Sequence, residues 1–115
     1  MSMRFHTNIS ISTLIQRNKL KSERSYSDAL EAFQKGDYDL SFIKAYGAGF
    51  SAAEAILLAH NYIASSKKDM LNRFGHLRIM EPVMEKYGKM EVISEEEAQR
   101  VLDAAEWFIE VLKRM

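Results

Sequence analysis

Proline occurs once in this chain, at position 82, and glycine only five times, at 36, 47, 49, 75 and 88. A chain of many short strands needs a turn every few residues, and turns are built mostly from these two residue types. Between the breaks, apolar residues recur at spacings of three and four, the period of an α-helix buried on one side. The chain is therefore expected to be all-α.

The clearest helix is the last. Ser94 stands three residues before Glu97, a capping box in which each side chain satisfies the other residue's backbone N–H. Glu95, Glu96 and Glu97 complement the positive end of the helix dipole, and Lys113 and Arg114 the negative end. Ala98, Val101, Leu102, Ala105, Phe108, Ile109 and Leu112 form one apolar face.

Three further helices are expected upstream. One runs from about Ser22 to Lys35, with Tyr26, Ala29, Leu30 and Phe33 on one face; Gly36 suits the left-handed position after it, and Asp37 caps the next helix. The second runs from about Tyr38 to Ala64, with Ile43, Tyr46, Phe50, Ala53 and Leu57 as its stripe. The third follows Ser65-Ser66, runs from about Lys67 to Tyr87 and turns Met70, Leu71, Phe74, Leu77, Met80 and Met84 inward. Pro82 lacks an N–H and crowds the preceding turn, so this helix is expected to kink or break near Ile79.

Short connections force successive long helices to pack antiparallel. The expected architecture is an antiparallel up-and-down four-helix bundle over residues 22–115. Residues 1–21 are expected to form a basic arm leading into a short helix from about Ser12. Gly47 and Gly49 cost a helix about 1 kcal/mol each against alanine. The surface of Tyr46, Gly47, Gly49 and Phe50 is thus the expected place of close packing, within the bundle or across a dimer.

The chain has 115 residues, a single-domain length. Cysteine is absent, which excludes a disulfide framework, a thiolate metal site and a cysteine nucleophile. The most apolar stretch, Ala52 to Ala59, contains Glu54 and is shorter than a bilayer span, and no long apolar run follows the N-terminus. These features point to a cytoplasmic protein with no membrane partner. The formal charge is zero, but residues 1–24 carry Arg4, Arg17, Lys19, Lys21 and Arg24 against Glu23 alone, a local net of +4. Such a patch attracts phosphate, or it is a solvated surface.

His6, His60 and His76 show no metal-ligand spacing with one another, and no phosphate-binding loop is present, so neither metal nor cofactor is expected. Arg73 and His76 stand three apart, on one face of a continuous helix. Arginine can hold a phosphate bidentately while histidine moves a proton, which suits cleavage of RNA through its 2′-OH. Lys67, Lys68 and Arg78 would extend such an anion site. The same residues also suit an ordinary solvated helix face.

Three segments resemble the HEPN family of small helical-bundle proteins: Tyr26 to Leu40 with its Gly36-Asp37-Tyr38 junction, the small-residue run from Lys44 to Leu58, and Ser94 to Ala98 leading to Ala104 through Ile109. The resemblance covers roughly Ser22 to Arg114. It implies a bundle that dimerises and works around RNA or nucleotides, as a ribonuclease toxin or as the companion of a small nucleotidyltransferase. In the ribonuclease branch an arginine is followed, after four to six residues, by a histidine. No arginine here has that spacing, and Gly47 stands where the family has a second tyrosine. The resemblance therefore implies a non-catalytic homodimeric partner of a nucleotidyltransferase, or an RNA- or nucleotide-binding protein in a toxin–antitoxin-like context. A metal-independent ribonuclease using Arg73 and His76, and a purely structural dimerisation module, are the alternatives.

Overall fold

The computed structural model of the chain describes residues 10–115. The outer part of the expected basic arm, with Arg4 and His6, lies outside the described residues. Among them there are five helices and no strand: α1 (Ile11–Gln34), α2 (Tyr38–Ala59), α3 (Lys67–Arg73), α4 (Gly75–Gly88) and α5 (Glu95–Lys113).

The arm's expected short helix and the first bundle helix are one element. α1 starts at Ser10, whose Oγ accepts the Thr13 N–H at 3.1 Å, and runs unbroken through residue 22. Ser22 is not a cap. It is buried, and its hydroxyl donates back to the Lys19 carbonyl at 2.7 Å, so a potential helix start is absorbed inside a helix. α1 ends as expected. Gly36 adopts φ +79°, Gly36 N–H reaches Phe33 O at 3.0 Å, and Asp37 N–H reaches Ala32 O at 2.9 Å. Asp37 then caps α2 by accepting the Leu40 N–H at 3.2 Å.

α2 stops at Ala59 rather than Ala64, because Asn61 takes the left-handed conformation (φ 59°) that asparagine tolerates. The Tyr62 N–H then closes on Leu57 O at 2.9 Å. The expected third helix is two helices, and the break is not near Ile79. It falls at Phe74, which is extended (φ −128°, ψ 113°), while Pro82 lies inside α4. Pro82 leaves the Arg78 carbonyl without its helical donor, on the side of α4 where Arg78, Ile79 and Pro82 are exposed. Extending Phe74 sets its ring edge-on against Phe108, with centroids 5.2 Å apart. α5 matches its expectation throughout: both capping-box bonds form, and all seven predicted face residues are buried.

The core gathers Phe42, Leu77, Met80, Val83, Leu102 and Phe108, each fully buried and each contributing about 2 kcal/mol of apolar transfer. α2 lies at its centre, with Ala45, Ala48, Ala52, Ala53 and Ala55 buried. Small side chains there let α1 and α5 come close. The hydroxyl of buried Ser41 joins α2 to α1 by donating to Ala29 O at 2.9 Å. Leu30, expected inside, is 38% exposed; Ala29 and Ala32 take the inner face of α1 instead. α2 is also longer and more apolar than the stretch from Ala52 to Ala59 suggests. Its 22 residues match a membrane span in length and composition, and 61% of its most apolar window is buried inside this fold.

Candidate functional site

Of the residues that sequence spacing groups together, Arg73, His76 and Lys67 fall into three separately packed clusters. Arg73 ends α3 and His76 stands at the second position of α4, so the extended Phe74 between them removes the shared helix face. Arg73 Nε donates to Asp69 Oδ1 at 3.0 Å, and its guanidinium lies 3.7 Å from the centroid of the Tyr62 ring, a cation–π contact. Asp69 is also the acceptor for the Tyr62 hydroxyl at 2.6 Å and the Ser65 N–H at 3.1 Å. These bonds, Tyr62's first, hold its carboxyl at about 2, well below the usual range. The arginine thus serves a knot that closes the turn between α2 and α3.

His76 stacks flat on Trp107 of α5, with centroids 3.8 Å apart and planes within 4°. Trp107 in turn meets Phe108 edge-on at 5.0 Å. Lys67 reaches Glu81 Oε1 at 3.1 Å and lies over the rings of Tyr46 (5.3 Å) and Phe50 (5.9 Å). Tyr46 donates to the other Glu81 oxygen at 2.8 Å. Burial raises the Tyr46 hydroxyl above its ordinary range; Lys67 opposes this and the Glu81 carboxylate adds to it. Lys67 is therefore already paired with a carboxylate. Lys68 and Arg78 are exposed and form no ion pair among the described residues. Neither do the described residues contain a group of three or more side chains able to hold a metal ion.

The two mid-helix glycines of α2 have different surroundings. A Cβ on Gly49 would meet Met80 Cε at 3.1 Å, Met80 Sδ at 3.4 Å and Ala105 Cα at 3.7 Å. Gly49 is thus where α2 packs tightly on α4 and α5. A Cβ on Gly47 would meet nothing within 4 Å. Close packing inside this chain accounts for Gly49 but leaves the helix cost of Gly47 unexplained.

A different surface carries the basic residues of the N-terminal segment. Arg17, Lys21 and Arg24, spaced four and three along α1, lie on one face and line an open groove of about 730 Å³. The facing wall is Glu54 and Leu58 of α2 with Ile63 beyond its end. None of the three cations makes an ion pair among the described residues. Ile63 is 75% exposed and Leu20, at the rim, 48%. The charge excess of residues 1–24 is the sequence signal for this groove; its aliphatic wall comes from residues thirty or more positions away.

No protein-family model matches the chain, and no curated protein matches it significantly.

Proposed function

We propose that this chain is a HEPN-like helical bundle of the non-catalytic kind. It acts as a cytoplasmic homodimer that binds a nucleotidyltransferase partner, RNA or a nucleotide, in a toxin–antitoxin-like setting. In this reading α1, α2, the broken α3–α4 pair and α5 are the four members of an up-and-down antiparallel bundle, the order that short connectors favour.

The observation that carries the non-catalytic reading is the separate engagement of Arg73 and His76. A ribonuclease pair needs the arginine free to hold phosphate and the imidazole within reach of a 2′-OH or a leaving oxygen. Here Arg73 is bonded to Asp69 and laid on Tyr62, and His76 is laid on Trp107. The neighbouring Lys67 is neutralised by Glu81.

The test is cleavage of single-stranded and hairpin RNA by purified protein in excess chelator, beside an Arg73→Ala/His76→Ala variant. Circular dichroism checks that both are folded. Neither protein is expected to cleave, and light scattering should give about twice the 13.3 kDa chain mass. Chelator-resistant cleavage that the double variant loses would establish a metal-independent ribonuclease and overturn the reading.

A further inference from the structure

The α1–α2 groove offers three cations in a row. At 1.5 Å per residue, Arg17 and Arg24 are about 10 Å apart along the helix. The acidic face of α5 does not neutralise them. Tyr26 of α1 faces Glu106, Asp103 and Glu110, and about two and a half helical turns separate Tyr26 from Arg17. The basic row thus lies on the opposite side of α1. Unpaired positive charge beside exposed aliphatic side chains calls for a ligand that is both acidic and apolar.

Three features choose among such ligands. Single-stranded nucleic acid is held by aromatic platforms under its bases, and none of the described residues lining this groove is aromatic. A second copy related by a two-fold axis through the groove would set Arg17, Lys21 and Arg24 against themselves. The third feature is Gly47. Lys44, Gly47, Ser51, Glu54 and Leu58 recur at spacings of three and four, so Gly47 extends the stripe of α2 that borders the groove. Its missing side chain leaves space that nothing in this chain occupies. Glycine at that place lets another backbone approach.

We propose that this groove seats an amphipathic helix of a protein partner. The helix is apolar on the side meeting Leu20 and Ile63, acidic along the edge meeting Arg17, Lys21 and Arg24, and crosses α2 closely at Gly47. Helix-in-groove docking of this kind uses apolar anchors at i, i+3 or i+4, and i+7. The inference deepens the binding-partner reading and rests on it; it gives the chemistry of the partner's contact segment.

The test is fluorescence anisotropy with three labelled probes. One is an 18-residue helical peptide with leucines at those spacings and flanking glutamates. The second carries lysine for each glutamate, and the third is a 12-nucleotide oligouridylate. The proteins are the wild type, Arg17→Glu/Lys21→Glu/Arg24→Glu, Ile63→Ser and Gly47→Leu. Every altered side chain but Gly47 is exposed, and circular dichroism checks each fold. The acidic peptide should bind the wild type and bind each variant about tenfold more weakly, as expected for losing a few exposed ion pairs or one apolar contact. The lysine peptide and the oligouridylate should bind the wild type no better than the charge-reversed variant. Absence of acidic-peptide binding, or equal binding by wild type and variants, overturns the inference. Groove-dependent binding of oligouridylate overturns it too, yet leaves the binding-partner reading standing; that reading fails separately, in the cleavage assay.

Discussion

Alanine at Gly47 and at Gly49 is the same chemical change two residues apart in one helix, so the two variants separate packing from propensity. Replacing glycine by alanine in a helix interior gains about 1 kcal/mol. At Gly47 the new methyl meets nothing within 4 Å, so the full gain should appear. At Gly49 the methyl would lie 3.1 Å from Met80 Cε and 3.4 Å from its sulfur. Met80 is wholly buried, so its thioether must shift by a few tenths of an ångström against packed neighbours. Overpacking of that kind costs about 1–3 kcal/mol. The expected net is a gain of about 1 kcal/mol for Gly47→Ala and a loss of about 1 kcal/mol for Gly49→Ala. For a domain of this length the first should raise the melting temperature by about 4 °C and the second lower it similarly. Urea and thermal unfolding followed by circular dichroism measure both. A Met80→Val background should remove most of the penalty at Gly49, since it takes away the atoms in the way. Equal stabilisation by the two alanines would refute the assignment of Gly49 as the close-packing glycine. Destabilisation by Gly47→Ala in the isolated protein would refute the statement that its surroundings are open.

Three further outcomes follow from local geometry. The Asp69 carboxyl sits at about 2 in the folded chain, against an ordinary 3.8, so its bonds to Tyr62 and Ser65 stabilise the fold fully above pH ~4 and are lost as pH falls towards 2; Asp69→Asn should flatten that part of a stability-versus-pH curve, and an unchanged acid limb would sink the reasoning. His76→Ala removes the ring stacked on the only tryptophan, so Trp107 emission should change in intensity and its accessibility to iodide should rise, while an unaltered Stern–Volmer slope would contradict the stack. Met90 holds φ 61° and is 93% exposed, an arrangement that costs a non-glycine residue about 1–2 kcal/mol, so Met90→Gly should stabilise the protein by roughly 0.5–1 kcal/mol in urea unfolding.

The helices were legible where the signal was both periodic and capped. α5 carries Ser94 and Glu97 at its start and an unbroken apolar face, and no competing interpretation fits that pattern. The Gly36-Asp37 turn was equally plain, because a left-handed glycine and an aspartate cap are local needs. Ser22 misleads for the opposite reason. A serine before an apolar run can cap a helix or bond back to a carbonyl inside one, and only the burial of Ser22 decides between them. Pro82 misleads because the cost of its missing N–H depends on whether the freed carbonyl can reach water. The break went instead to Phe74, where an extended backbone brings its ring to Phe108, thirty-four residues away.

The candidate site shows the same division between what is local and what is not. The three-residue spacing of Arg73 and His76 implies a shared face only if the helix between them is continuous, and one extended residue removes the premise. What then engages each side chain comes from other elements: Tyr62 from the loop after α2, Trp107 from α5. Gly47 and Gly49 are likewise indistinguishable in a string of letters, since the methionine that explains one of them sits thirty-one residues further on. The basic excess of α1 was visible, but a charge row is ambiguous between solvent, phosphate and protein until its opposite wall is known. That wall is aliphatic and has no aromatic ring among the described residues. Those properties, rather than the charge itself, turn the argument from nucleic acid towards an acidic helix.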